Sequence, residues 1–473
     1  MDEFVARINY IELNNFQNVA HGKIEMPRTQ NGEPFSRRAD IVGIYGQNGS
    51  GKTAVINALK YAQTLMRGQA LDKDSAQRIM NGKDEASVTI AMSLNCEMLR
   101  SQAYYTFRMK RENGNTAVLS GEVLKLVHEC KGEFTRKAVY MEYTPQGERP
   151  FTPRKRYDDF IRRMNECNSQ DGRVNQNYSP ELEIELARRI AVKENGSFIF
   201  SKDMLDIFKK YMVDEHALAI LSMVNYALEN IVILGEAGIL LPDLQYAMFH
   251  MWKECEDSLR FHQTAFMNLG SPQIMREEQY GQFQKSFEIM NIVLDKLVPG
   301  LKADMIDLGS ELDKEGKRCK RVEFVSVRNG TKIPMRYESA GIVKIVSMLQ
   351  MLIEAYSNPG MFLAIDELDS RVHEYLLGEL LSVMQEGKGQ LLFTAHNLRP
   401  LEVLGKESVV FSTSNPENRY VRFRNIKPTN NLRDSYIRAI NLGGQAEELY
   451  SPTDTVDIRR AFVRAGKAMT ANG

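Results

Sequence analysis

Two short segments hold the residue types that phosphate chemistry needs. Gly46-Gln47-Asn48-Gly49-Ser50-Gly51-Lys52-Thr53, running on into Ala54, fits the spacing G-x-x-x-x-G-K-[ST]. Its glycines let backbone N–H groups close around phosphate oxygens, and a helix starting there adds positive potential. Lys52 then reaches the β- and γ-phosphates of a nucleoside triphosphate, and Thr53 holds Mg2+. Downstream, Phe362-Leu363-Ala364-Ile365-Asp366-Glu367 ends an apolar run in two acids. Asp366 can hold the metal's water shell, and Glu367 can orient or deprotonate an attacking water. Alone, such a run is more often a strand end with solvated acids; beside a phosphate loop it supplies the second half of a hydrolytic site.

Two further segments add polar groups at element ends. In Glu338-Ser339-Ala340-Gly341, the Ser339 hydroxyl and the Gly341 N–H either form a second anion site or Ser339 merely caps the helix. In Leu391-Leu392-Phe393-Thr394-Ala395-His396-Asn397, His396 follows a buried strand directly. It either meets the γ-phosphate or its attacking water, or it is structural.

These groups need strands and helices to aim them. Residues 41–45 read as a short apolar strand feeding the glycine-rich turn, with a helix over 52–66. Residues 8–13 alternate as a strand, and 87–143 read as several antiparallel strands with a hairpin turn at 113–115. A Pro/Gly-rich break at 144–150 marks a boundary. Residues 154–298 read as helical, including Ala247, Met248 and Met251 in one segment and Phe287, Met290 and Val293 in another. The apolar stretches 217–228 and 231–241 read as buried helix or loop. Strands return at 302–308 and 322–327, then a helix over 341–356. Strands at 361–365 and 390–394 flank a helix over 373–384. The fold class is α/β: a core mixed sheet, an antiparallel β unit and a helical insertion. The corresponding divisions are residues 1–145, 146–300, 301–412 and a C-terminal extension, 413–473.

Lys+Arg and Asp+Glu both number 61, so the formal net charge is zero, which argues against a constitutive coat on nucleic acid. The five cysteines are spread apart with no CxxC pair, which fits reduced thiols in a cytoplasmic protein. The acidic N-terminal MDEFV is unlike a signal peptide, and no apolar run reaches a membrane-spanning length. Between 418 and 438, Arg419, Arg422, Arg424, Lys427, Arg433 and Arg438 interleave with Tyr420, Phe423 and Tyr436. That run reads either as a nucleic-acid or partner surface or as an edge strand with solvated arginines.

Taken in order, a strand, GQNGSGKT, ESAG before a helix, IDELDSR and TAH resemble the motifs of ABC-type ATPase heads. More closely they resemble the OLD-like and SMC-like "AAA family" P-loop ATPases of bacteria. The opening Ile11-Glu12-Leu13-Asn14-Asn15-Phe16 is similar to the start of those chains and of RecF. The resemblance covers 1–145 and 300–410. It implies an ABC-ATPase-like P-loop head that binds ATP with Mg2+. Lys52 and Thr53 form its Walker A pair, and Asp366 and Glu367 its Walker B pair. Asp369 with Ser370 would be the D-loop, Ser339 to Gly341 the signature and His396 the switch histidine. The signature of one subunit completes the site of another in such heads, which implies a nucleotide-sandwiched homodimer or a higher oligomer. Departures are ESAG in place of LSGG and the lack of a placed Q-loop glutamine. The insertion is too short for a long coiled coil, and no nuclease acids follow His396.

ATPases of this layout without a nuclease of their own resemble those of Septu-, PARIS- and Menshen-type antiphage systems. The resemblance implies a switch that controls a separate effector, a nuclease or toxin encoded nearby, with the helical insertion as docking surface and no membrane. The alternatives are a RecF- or SMC-like clamp in DNA repair or recombination, and an ABC transporter subunit, against which ESAG and the insertion both speak.

Overall fold

A computed structural model of the chain describes residues 4–112, 116–170, 179–212, 214–235, 246–253, 261–312, 316–423, 431–442, 447–449 and 454–471. At its centre lies a six-stranded sheet in the order Tyr420–Val421, Val409–Ser412, Asp40–Tyr45, Gln390–Ala395, Phe362–Ile365, Ile231–Leu234. Five strands run parallel, and Tyr420–Val421 is an antiparallel edge. Alternation by twos divides each central strand between two cores: Val42 and Ile44 face one, Ile41 and Tyr45 the other. With both faces covered, these strands read as continuous apolar runs. The register sets Tyr45 beside Ala395 and Ile365 beside Phe393, so the motif-bearing ends finish side by side.

One core is closed by a seven-stranded antiparallel sheet that includes Val5–Phe16, Glu85–Cys96, Leu99–Arg111 and Ala117–Cys130, with helix Lys52–Met66 between the two sheets. Strands Leu99–Arg111 and Ala117–Cys130 pair as a hairpin; its expected turn at 113–115 lies outside the described residues. The chain is thus α/β, with the mixed core sheet and antiparallel unit expected.

The block read as helical is not helical throughout. Helices Arg154–Gln170, Pro180–Glu194, Lys202–Tyr211, Glu215–Asn225 and Glu277–Leu297 agree with that reading. Ile231–Leu234, however, is a strand of the central sheet, and Tyr246–Lys253 with Phe261–Asn268 forms a hairpin. Ala247, Met248 and Phe249 are all buried in that hairpin. With neighbouring positions on both faces covered, no alternation survives to distinguish strand from helix. Residues 236–241 lie outside the described residues. A four-stranded antiparallel sheet of Gln273–Arg276, Lys302–Leu312, Arg318–Arg328 and Thr331–Pro334 follows.

Among the described residues, one helix, Ala340–Ser357, is long and apolar enough to cross a membrane. Here half of it is buried inside the fold, and it packs on the hairpin strand Tyr246–Lys253 and on helix Glu277–Leu297.

Arg7 ties the first antiparallel strand to the far end of the central sheet. It is 2% exposed and donates to the carbonyls of Pro359 (3.0 Å), Lys388 (2.8 Å) and Arg38 (2.8 Å). Asp40 Oδ2 lies 3.7 Å from its guanidinium. Replacing Arg7 by Met would leave three carbonyls without this donor and strip a buried carboxylate of its counter-charge, leaving it the Arg28 N–H and Gln390 Nε2. The expected cost is about 3–5 kcal/mol of unfolding free energy, read from urea denaturation.

Candidate functional site

The phosphate loop leaves strand Asp40–Tyr45 at Gly46 and enters helix Lys52–Met66 through Gly51, whose φ of 89° no β-carbon-bearing residue adopts readily. Its shape is set by distant parts of the chain. Tyr420 Oη donates to the Gly51 carbonyl (2.7 Å), and Asn18 Nδ2 donates to the Gly49 carbonyl. Ser50 Oγ donates to the Gln47 carbonyl (2.6 Å) and touches Ser412 Oγ (2.5 Å).

Lys52 is buried and its ammonium folds back onto the carbonyls of Gly46 (2.9 Å) and Gln47 (3.1 Å). Burial pulls its pKa down, while Asp366, Glu367 and Asp369 pull it up. The lysine is thus a cation held ready beside the loop. Thr53 Oγ1 lies 3.5 Å from Asp366 Oδ1, a pair of hard oxygen donors of the kind Mg2+ takes.

Thr394 links the two acids of the second motif. Its hydroxyl accepts from the Glu367 N–H (2.7 Å) and donates to Asp366 Oδ1 (2.5 Å). Glu367 itself sits at φ 50°, a left-handed conformation unusual for a glutamate. Its carbonyl accepts from Ser370 N (3.0 Å) and from Lys344 Nζ (2.5 Å). Such strain next to a carboxylate at a strand end is a mark of functional loops.

A cavity of about 480 Å3 opens here, lined by Lys52, Thr53, Ala54, Asp366, Glu367 and His396 together with Asn48, Gly49 and Gly51. Gln17, Asn18 and Thr394 also line it, and none of the three stood out from sequence spacing. The sequence signal for the first two is the Asn14-Asn15-Phe16 run just before them, where the structure has left-handed φ at Asn15 and Gln17. Gly46, Gln47 and Ser50 shape the loop from behind rather than lining the cavity. His396 is exposed at the rim. Asp369 Oδ2 accepts from the amides of His396 (2.9 Å) and Asn397 (2.6 Å), which fixes that histidine's loop, while its Oδ1 is buried without a hydrogen bond.

Ser339 and Gly341 do not reach the cavity of their own chain. Ser339 caps helix Ala340–Ser357 by accepting from Ile342 N (3.4 Å). Gly341 presses on Arg371, where a β-carbon would stand 2.5 Å from the carbonyl oxygen. The first turn of this helix is therefore seated on the loop that carries Glu367.

Lys344, one turn along, was missed because its partner is a backbone carbonyl that sequence does not display. Burial pushes its pKa down to about 8, with Asp369 and Glu367 opposing. An unfolded lysine keeps its proton to the ordinary value of 10.5. Between those values the unfolded chain binds more protons, so this group adds stability as pH rises from 8 to 10.5. Lys344→Met is expected to remove that rise, on the order of 3 kcal/mol at most, in urea unfolding measured across pH.

Two arginines of the basic run after 418 turn inward, while Arg433 and Arg438 are exposed. Arg419 is buried, donating to the carbonyls of Thr413 (2.5 Å) and Asn18 (2.5 Å). Arg422 donates to the carbonyls of Glu25 (2.6 Å) and Glu407 (3.1 Å), and burial pushes its pKa down to about 10. Tyr420, Phe423 and Tyr436 are buried as well, and Arg433 pairs with Glu402 (2.6 Å). Neither a nucleic-acid surface nor a solvated edge fits Arg419 and Arg422: Arg419 holds the Asn18 carbonyl beside the phosphate loop, and Arg422 ties Glu25 to Glu407. Arg424 and Lys427 lie outside the described residues.

Residues 10–215 match the family model described as an AAA domain. No curated protein matches the sequence. Among solved structures, the Smc head domain with an extended coiled coil bound to the C-terminal domain of ScpA, from Pyrococcus furiosus, is similar at 13% identity. That match covers 88% of this chain and 96% of the other, with a TM-score of 0.39. The SMC head domain from Thermotoga maritima is similar at 12% identity over 88% and 99%, with a TM-score of 0.36. The recombination mediator RecF with ATP is similar at 15% over 84% and 95%, with a TM-score of 0.30.

Proposed function

We propose that the protein is an Mg2+-dependent ATPase that works as a nucleotide-driven switch. The observation that carries this reading is the joint lining of one cavity by Lys52, Thr53, Asp366, Glu367 and His396. In the proposed reaction a water oxygen attacks the γ-phosphorus in line, the bond to the β,γ-bridging oxygen breaks, and ADP and phosphate leave. Lys52 turns from the Gly46 and Gln47 carbonyls to the β- and γ-phosphate oxygens and neutralises their charge. Glu367 orients the water and takes its proton. His396, held by Asp369 through its backbone, reads the γ-phosphate at the rim. Thr53 and Asp366 would hold Mg2+, which supplies charge neutralisation on the phosphate oxygens.

Ser339 and Gly341 do not line their own cavity, which leaves them for the nucleotide of a second copy. A nucleotide-sandwiched dimer is part of this proposal, and the seat of their helix on the Glu367 loop would give it a route to the catalytic acid. The test is Mg2+-dependent phosphate release from ATP by the whole chain. Lys52→Ala should abolish it and weaken nucleotide binding more than 100-fold. Equal release by the wild type and Lys52→Ala would sink the reading.

Within that activity, we infer a place in an antiphage defence system, where the ATPase governs a separate nuclease or toxin. The order of the motifs, which resembles that of such defence ATPases, supports it. Phage challenge of cells carrying the gene with its neighbours, wild type against Lys52→Ala, tests it directly. A RecF- or SMC-like clamp is the second reading; salt-sensitive DNA binding that strengthens with ATP would favour it. The inward turn of Arg419 and Arg422 takes those two residues out of that clamp's surface, whereas Arg433 and Arg438 are exposed.

A further inference from the structure

Away from the phosphate cavity, strand Ala117–Cys130 and the start of helix Glu215–Asn225 bring three metal-competent side chains together. One ring nitrogen each of His128 and His216 and one carboxylate oxygen of Glu215 all lie within 4.8 Å of one another. His128 is 4% exposed. Its Nδ1 stands 3.1 Å from Ser101 Oγ, whose single proton goes to the Val127 carbonyl at 2.9 Å. Nδ1 must therefore carry the ring proton and donate to Ser101. Nε2 is left as a lone pair, buried and without a partner. A neutral imidazole with its other nitrogen tied in this way is the form that ligates metals.

His216 is prepared similarly. Its Nε2 lies 3.3 Å from Arg156 Nη2, and a guanidinium can only donate, so Nε2 offers a lone pair and Nδ1 carries the proton. Nδ1 is buried and unpartnered, with Asp214 Oδ1 at 3.9 Å. Simple packing explains part of the arrangement, since Tyr140 stacks on His216 at 4.7 Å and the two imidazoles meet edge-on at 4.5 Å. It does not explain the buried His128 Nε2 lone pair without a partner, worth about 1–3 kcal/mol if left so.

We propose that His128, His216 and Glu215 bind a divalent transition-metal ion of the zinc class, with water in the remaining position. Two imidazoles and a carboxylate form a donor set zinc accepts, whereas Mg2+ prefers oxygen alone. Glu215 is exposed, so it brings the negative charge and leaves a path for the ion. Arg156 yields the His216 lone pair, and Asp214, already held by Arg163 at 2.7 Å, is placed to take the Nδ1 proton's hydrogen bond. The ion then cross-links the antiparallel sheet to the helix that covers it, independently of ATP.

The test uses the whole chain, stripped with EDTA and supplied with Zn2+ or Mg2+. After gel filtration, elemental analysis should find one zinc per chain, and Zn2+ but not Mg2+ should raise the melting temperature by on the order of 5 °C. His128→Gln and Glu215→Gln should lose both effects, and Lys52→Ala should keep them. Glu215 is on the surface, so its variant keeps the fold, as circular dichroism will show. Zinc far below one per chain in the wild type, an unchanged melting temperature, or full retention by Glu215→Gln and His128→Gln would each overturn the site.

Discussion

Glu367→Gln is expected to slow ATP turnover by about 10²- to 10⁴-fold, the usual reach of a positioned general base, while ATP still binds. The separation of the two effects comes from how the residue is held. Everything that fixes Glu367 acts on its backbone: Thr394 Oγ1 on the N–H, Ser370 N and Lys344 Nζ on the carbonyl. An amide of the same shape keeps those bonds and the left-handed φ, and loses only the basicity of the carboxylate. Lys52, proposed to meet the phosphates, and Thr53, proposed to hold Mg2+, are untouched. ATP should then persist in the site, and the dimer that it bridges should persist with it. Single-turnover kinetics, equilibrium nucleotide binding and light scattering in ATP measure the three quantities separately. Turnover within about threefold of wild type would remove Glu367 from the role of base, since such a loss is under about 1 kcal/mol.

The difference between what was legible in the sequence and what was not follows the distance over which each feature is built. Gly46 to Thr53 work as strand, turn and helix in one uninterrupted stretch, so spacing alone reveals them. Asp366, Glu367 and His396 sit at the ends of short apolar strands, which periodicity finds. Ile231–Leu234 joins the central sheet only by pairing with Phe362–Ile365, far along the chain, and four apolar residues carry no local sign of that choice. Arg419 and Arg422 alternate like a solvated edge, yet their donors end on the carbonyls of Asn18 and Glu25, at the opposite end of the sequence. Tyr420 likewise looks like one aromatic among arginines until its hydroxyl is seen on Gly51. Lys344 is hidden for a different reason: a backbone carbonyl has no residue type to recognise. The phosphate chemistry was local and therefore readable; the bracing that holds its loop in shape was not.

That bracing gives the other large effect. Gly46→Ala is expected to cost far more nucleotide affinity than Gly49→Ala, although both glycines belong to the same loop and both have positive φ. At Gly49 (φ 76°) an added β-carbon meets nothing within 4 Å, so only the backbone conformation is penalised, by about 1–2 kcal/mol. At Gly46 (φ 156°) the β-carbon would stand 2.0 Å from Ser412 Oγ, 2.8 Å from the Ser412 carbonyl oxygen and 2.9 Å from Ser50 Oγ. Ser412 cannot retreat: it is fully buried, its hydroxyl donates to the Tyr45 carbonyl (3.1 Å), and its strand pairs with Asp40–Tyr45. Relief must come from the loop, which would lift Gly46 and with it the carbonyl that now receives Lys52. Overpacking and backbone strain together come to about 2–5 kcal/mol, or roughly 30- to 5,000-fold in affinity. Titration with a fluorescent ATP analogue ranks the two variants. If Gly49→Ala proves the weaker binder, the loop is shaped by its solvent side and not by its contact with Ser412.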